Sequence, residues 1–142
     1  MSAKSTLQYN SGLSFDVELN GHTFAIDADP KYGGQNRGPK PMPMLLSALG
    51  GCSGMDVVSI LHKMKYEDFE LNIEVEGEYS QGDHPHVYET IQIAYTFKGE
   101  LDPEKLKKAV ELSMTRYCGV MAMLSKAADV SWKIVLNGEE VA

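Results

Sequence analysis

The stretch from Met44 to Leu61 constrains the fold of this chain more than any other. It is almost entirely apolar and has only four clearly polar side chains, at Ser47, Ser53, Asp56 and Ser59. Pro43 precedes it and suits the first helical position, because proline has no N–H to leave unpaired there. An ordinary surface helix has a polar face. Since this one has none, the stretch predicts a long central helix that is buried on nearly all sides.

Glycines interrupt the predicted helix at 50, 51 and 54. With Asp56 they break the continuous apolar run of about 20 residues that a membrane-spanning helix needs. Each glycine costs about 1 kcal/mol relative to alanine in a helix interior. We therefore expect another backbone or a substrate to approach closely here, beside Cys52.

Length and charge narrow the class of protein. The 142 residues are expected to form one domain, residues 1–142. The net charge of -7 argues against nucleic acid and anionic membranes as partners, since both need clustered Lys and Arg. No apolar signal core follows Lys4, so we expect the cytoplasm, where both cysteines stay reduced unless they do redox work.

Apolar and polar residues alternate with period two on both sides of the central helix, which predicts strands. Asn20-Gly21 supplies the two positive-φ residues of a type I′ hairpin within an N-terminal meander. The predicted strands are Lys4–Tyr9, Leu13–Leu19, a return strand through Phe24 and Ile26, Leu71–Tyr79, Val87–Phe97, and one through Trp132, Ile134 and Leu136.

Two helices are predicted before the last strand. Asp102-Pro103 supplies an N-cap and a proline at the first helical position. The inward stripe of this helix is Leu106, Ala109, Val110 and Ser113. Tyr117-Cys118-Gly119 interrupts the helix, and a short helix follows over Val120–Ala127. The order βββ-α-ββ-αα-β places the chain in the α+β class.

Several segments together resemble the OsmC/organic hydroperoxide resistance family. They are Gly33-Gly34-Gln35-Asn36-Arg37-Gly38-Pro39-Lys40-Pro41-Met42, the Gly-Gly-Cys in the central helix, His84-Pro85 before a strand, and Tyr117-Cys118 before a helix. The resemblance implies an OsmC-like fold and an intertwined homodimer, in which the central helices of both chains pack together. That arrangement would explain a helix without a polar face in so short a chain.

The resemblance also implies a reaction. Cys52 matches the peroxidatic cysteine and Cys118 the resolving one. Cys52 attacks the O–O bond of an organic hydroperoxide and becomes a sulfenic acid, and Cys118 condenses with it to a disulfide. An external dithiol of lipoyl type then reduces the disulfide, in defence against oxidative stress. No cofactor and no metal are implied, and the two α-carbons must come within about 7 Å.

The group that activates Cys52 is less obvious from the sequence. The family pairs its thiolate with an Arg from the N-terminal strands and a Glu in the turn before the helix. Here those strands contain no Arg, and the turn Pro41–Met44 contains no carboxylate. The helix dipole fades within the first turn and does not reach Cys52. Of the two arginines, Arg37 and Arg116, we favour Arg37 as the cation.

Two residues near the cysteines keep alternatives open. Cys118 is predicted to start a helix, where the dipole would lower the pKa of its thiol, so on physical grounds it could be the more acidic cysteine. Asp56 lies at i+4 from Cys52 and as an anion would raise the thiol pKa. It is either a buried, hydrogen-bonded carboxylate or a proton acceptor.

Other candidate residues have an ordinary explanation beside the functional one. Met42, Met44, Met55 and Tyr117 could line a pocket for an alkyl tail, or belong to the core. His84 and His86 could chelate a metal but are more often part of a polar turn. A cysteine in an apolar helix is often inert. The rival function is therefore a non-catalytic redox sensor or a protein that binds apolar small molecules.

Overall fold

The computed structural model describes residues 1–142 and divides them into two compact units, Met1–Leu45 and Leu46–Ala142. The N-terminal unit is built on a three-stranded antiparallel meander of β1 (Thr6–Tyr9), β2 (Phe15–Leu19) and β3 (His22–Ile26). Asn20 and Gly21 have φ of 51° and 79°, so the predicted hairpin turn is confirmed. A short 3-10 helix, Pro30–Tyr32, follows. The single domain expected from the length stays a prediction.

The central helix, α1 (Pro41–Lys63), begins two residues before Pro43. By length and composition it could cross a membrane, a test that core helices of globular proteins also pass. Its buried residues form one face, composed of Leu49, Ser53, Gly54, Val57 and Leu61. Within one chain the opposite face is open, and Met55 is 75% exposed. The helix is therefore covered on one side only, and a cover for the other side stays a prediction.

The C-terminal unit contains a four-stranded sheet in the order β4-β5-β6-β7. Its strands are β4 (Phe69–Tyr79), β5 (Tyr88–Gly99), β6 (Asp129–Leu136) and β7 (Glu139–Glu140). The predicted antiparallel pairing of β4 with β5 is confirmed, whereas β5 and β6 run parallel. The parallel pairing requires a crossover, which the helices between β5 and β6 provide.

The crossover consists of α2 (Pro103–Leu112), a π-helical turn (Ser113–Tyr117) and α3 (Gly119–Leu124). Asp102 caps α2 by accepting from the Glu104 N–H, as predicted. The core packs alternate residues of β5 against the inward faces of the helices. Its fully buried apolar side chains include Leu49, Val57, Leu61, Ile91, Ile93, Tyr95, Phe97, Leu106, Val110 and Ile134. The predicted α+β class is confirmed.

The sequence suggested a close approach at all three glycines of α1, and two of them meet the sheet. A Cβ on Gly54 would lie 2.8 Å from Ile73 Cδ1, and one on Gly50 would lie 3.1 Å from Val75 Cγ2. These residues let α1 approach β4 closely. A Cβ on Gly51 would lie in open space.

Candidate functional site

The two cysteines, far apart in sequence, meet in the C-terminal unit. The sulfur atoms of Cys52 and Cys118 and a carboxylate oxygen of Asp56 all lie within 4.8 Å of one another. Both thiols are free; Cys52 is partly exposed and Cys118 is buried. A modest movement of the side chains would therefore bring the sulfurs to bonding distance. Asp56 is i+4 from Cys52, and so lies on the same face of α1.

The π-helical turn places Cys118 against α1. The N–H of Cys118 donates to the carbonyl of Ser113, five residues earlier, over 2.8 Å, and this hydrogen bond closes the turn. Cys118 itself is extended, with φ of -77° and ψ of 105°, and its sulfur accepts from the Met121 N–H at 3.3 Å. π-helical turns are uncommon and frequently occur at functional sites. The sequence predicted the interruption at Tyr117-Cys118-Gly119 but not this geometry.

A chain of hydroxyl groups joins the site to the core of the sheet. The Tyr95 hydroxyl hydrogen-bonds Ser53 Oγ. The Oγ atoms of Ser53 and Ser113 lie 2.9 Å apart, and Ser113 Oγ donates to Asp56 Oδ2 over 2.9 Å. Tyr95, Ser53 and Ser113 are all fully buried. We call this series, Tyr95–Ser53–Ser113–Asp56, the hydroxyl chain.

The environment of Cys118 makes it a weak acid. Burial raises the pKa of the Cys118 thiol to about 11, and the neighbouring Cys52 and the charge of Asp56 act in the same direction. The hydrogen bond from the Met121 N–H opposes these effects but is outweighed. The helix start therefore does not bring the pKa of the Cys118 thiol below its ordinary value, because desolvation of the sulfur exceeds the stabilisation that the short α3 offers.

Tyr95 stays protonated for a related reason. Burial raises the pKa of its hydroxyl to about 12, although the hydrogen bond with Ser53 lowers it. Negative charge on Cys118 or Asp56 raises the pKa further. The Tyr95 hydroxyl is therefore available as a proton donor to its neighbour at neutral pH.

Arg37, the predicted cation, lies in the N-terminal unit and is held by residues of that unit. Its guanidinium donates to Ser14 Oγ over 2.8 Å and to Asp16 Oδ1 over 3.3 Å. Its backbone N–H donates to the buried Asp27. Its role toward Cys52 stays a prediction. Arg116 lies over the ring of Tyr117, 5.5 Å from its centroid.

The four residues predicted to line a pocket for an alkyl tail differ in exposure. Met55 lines an open groove of about 880 Å³ between α1 and β4. The groove is also lined by Gly50, Gly51, Gly54, Val58, Leu71 and Ile73. Tyr117 is 54% exposed, and Met42 and Met44 are half-buried in the first turn of α1. A role for these four residues in binding an alkyl group stays a prediction.

Two clusters bring together side chains that can bind a metal. The rings of His84 and His86 are 4.4 Å apart, and His86 Nδ1 is engaged with the Ser80 carbonyl. The thiols with Asp56 supply three donors, one fewer than a structural zinc site uses. We assign a metal to neither.

Sequence reasoning missed most of the hydroxyl chain. The sequence predicts Ser113 on the inward stripe of the helix that begins at Pro103. A serine at such a position indicates a buried polar partner. Ser53 and Tyr95 gave no comparable signal, since serines occur throughout α1 and tyrosine is common in strands.

The fold, with its pair of neighbouring cysteines, matches a known protein family. The family model described as OsmC-like protein matches residues 34–133, so the chain belongs to the OsmC-like protein family. The resemblance seen in the sequence is thereby confirmed.

Individual relatives cover nearly the whole chain. Protein YhfA of Escherichia coli (strain K12) is 32% identical over 127 residues, which are 88% of this chain and 91% of that protein. A crystal structure of a hypothetical protein from Aquifex aeolicus VF5 has 29% identity and a TM-score of 0.81, and covers 96% of this chain and 98% of that one.

The structural neighbours also include proteins named for hydroperoxide resistance. The organic hydroperoxide resistance protein OhrB of Bacillus subtilis has 19% identity and a TM-score of 0.62, with 96% of this chain and 98% of that chain covered. At this identity the likeness shows the fold alone.

Proposed function

We propose that the chain is a thiol-dependent peroxidase that reduces organic hydroperoxides in the cytoplasm, as part of oxidative-stress defence. The single observation that carries the proposal is the approach of the Cys52 and Cys118 sulfurs and the Asp56 carboxylate to within 4.8 Å. The pairing is what a two-cysteine peroxidase needs, because the resolving thiol must reach the oxidised sulfur to form the disulfide. The names of the hydroperoxide resistance neighbours support the substrate class.

The reaction assigns different tasks to the two thiols. Cys52, the more exposed, attacks the O–O bond; it becomes a sulfenic acid and the hydroperoxide leaves as an alcohol. Cys118, buried and with a raised pKa, is poorly suited to attack peroxide and well placed to attack the sulfenic acid. The resulting disulfide is reduced by an external dithiol, for which a lipoyl-type compound is our candidate.

We further propose that the active form is a homodimer. In one chain the groove between α1 and β4 is open and Met55 is 75% exposed. A second copy that covers this face would bury the apolar surface that α1 leaves in water. Size-exclusion chromatography with light scattering tests this, and a monomer at micromolar concentration contradicts it.

The test of the reaction is turnover of cumene hydroperoxide with dihydrolipoamide. Wild type should turn over, and Cys52→Ser should fall to the uncatalysed rate. Arg37→Lys, which keeps the charge but loses the planar fork, tests the activating role of Arg37. Loss of turnover with an intact fold supports that role, whereas wild-type turnover removes Arg37 from the site.

A non-catalytic redox sensor is the second candidate. It is favoured by the charge near the thiols, because the groups that shift the pKa of Cys118 include Asp56 and no Lys or Arg. A sensor would form the Cys52–Cys118 disulfide once per chain without turnover. A protein that binds apolar small molecules would form neither the disulfide nor product.

A further inference from the structure

We propose that Asp56 is the proton acceptor for Cys118 when Cys118 attacks an oxidised Cys52, and that the hydroxyl chain holds the Asp56 carboxylate in place. The proposal deepens the proposed function. When the oxidised Cys52 is a sulfenic acid, the step rests on the proposed peroxidase function. When the oxidised Cys52 is a mixed disulfide, the step does not depend on that function.

The Ser113 hydroxyl is the donor at the carboxylate end of the hydroxyl chain. It faces both Asp56 Oδ2 and Ser53 Oγ as a donor, each over 2.9 Å. An ionised carboxylate only accepts hydrogen bonds, so Ser113 suits the Asp56 side chain as a partner. The Ser53 hydroxyl is also hydrogen-bonded to Tyr95. The chain therefore ties the carboxylate to the buried core through hydroxyl groups that polarise one another.

The hydrogen bond from Ser113 acts on Asp56 in two ways. It fixes the orientation of the carboxylate. It also occupies Oδ2 and leaves Oδ1 without a hydrogen bond to the protein. Asp56 thus keeps one free acceptor oxygen next to the two sulfurs.

The charged and titratable neighbours of Asp56 come from three elements. They are Cys52 on α1, Cys118 after the π-helical turn, and Tyr95 on β5. No Lys, Arg or His of residues 46–142 forms an ion pair with the Asp56 carboxylate. The carboxylate is a base that lies within direct reach or one bridging water of Cys118.

The proposed step balances in atoms and electrons. The Cys118 S–H proton moves to Asp56, and the sulfur electron pair forms the S–S bond with Cys52. The S–O bond of the sulfenic acid breaks, and the leaving hydroxide takes the proton from Asp56 to become water. The Cys118 sulfur is oxidised and the Cys52 sulfur is reduced to the same extent.

A buried thiol with a pKa of about 11 needs such a base. At pH 7 only about one such thiol in ten thousand is ionised. Proton transfer to a positioned base typically contributes about 10²–10⁴-fold in rate. Without it, attack by Cys118 would depend on hydroxide from solution.

The test separates this step from peroxide chemistry by placing a chromophore on Cys52. The full-length protein, in a buffer with a metal chelator, is treated with 5,5′-dithiobis(2-nitrobenzoate). The first thionitrobenzoate is released when Cys52 forms the mixed disulfide. A second is released when Cys118 attacks Cys52, which requires loss of the Cys118 proton but no peroxide. Cys118→Ser should release only the first.

In wild type we expect a fast second release with little dependence on pH between about 6 and 8. In Asp56→Asn it should be about 100-fold slower at pH 7 and rise about tenfold per pH unit. Loss of the negative charge of Asp56 would by itself lower the pKa of Cys118 and speed the attack. Slowing therefore reports the missing base. Asp83→Asn, in an exposed loop, should match wild type.

Ser113→Ala should keep the flat pH profile and slow the second release about tenfold, as expected for a positioning residue. If Asp56→Asn does not fold, Asp56→Glu keeps the carboxylate and should keep the flat profile. An Asn variant within about threefold of wild type, or a folded Glu variant with the tenfold rise per pH unit, overturns the proposal. If only the hydroperoxide turnover assay fails, the proposed peroxidase function is wrong, and the role of Asp56 in the attack by Cys118 still stands.

Discussion

The most quantitative prediction concerns the acidity of Cys118. In the Cys52→Ser variant Cys118 is the only thiol, and burial, the largest cause of its raised pKa, is retained. A pKa near 11 against an ordinary 9.0 leaves about 100-fold fewer thiolates at neutral pH. Alkylation by iodoacetamide should therefore rise about tenfold per pH unit and continue to rise beyond pH 9.

The assay is the second-order alkylation rate at graded pH, measured by intact-protein mass spectrometry. The same variant in concentrated urea is the control, and its rate should level off near pH 9 because burial is lost. A native profile that levels off at or below pH 9 would refute the reasoning that desolvation dominates at this thiol.

Four further predictions concern stability. Gly77→Ala should cost about 1–3 kcal/mol in free energy of unfolding, because the new Cβ would lie 2.6 Å from the buried ring of Tyr88. Gly119→Ala, with nothing within 4 Å, should be neutral or stabilising in the same thermal melts. The raised pKa of Cys118 stabilises the fold below pH 9, so stability should fall as pH rises from 9 toward 11, and less so in Cys118→Ala. Three backbone N–H donors lower the pKa of Asp27, so its contribution is present above pH 4 and is lost on acidification; Asp27→Asn should flatten that loss.

The elements that could be predicted from the sequence are those with local causes. Period-two alternation indicated β4 and β5, and Asn20-Gly21 specified a turn that needs two positive φ angles. The cap at Asp102 is likewise a matter of neighbouring residues. These features depend on a few bonds within one segment, so the sequence pattern was sufficient.

The features that could not be predicted depend on distant partners. Nothing in the sequence of β6 shows that it pairs parallel to β5 rather than antiparallel to another strand. The pKa of Cys118 depends on burial, which is set by the whole C-terminal unit. The hydroxyl chain joins α1, β5 and the π-helical turn, and only their packing shows that Ser53 and Ser113 are hydrogen-bonded.

The measurement that tests the central claim most directly is peptide mapping by mass spectrometry after one equivalent of cumene hydroperoxide. The account predicts one intrachain disulfide between Cys52 and Cys118 in wild type, and a dimedone-reactive sulfenic acid on Cys52 in Cys118→Ser. Two unmodified thiols, or oxidation that begins at Cys118, would contradict it.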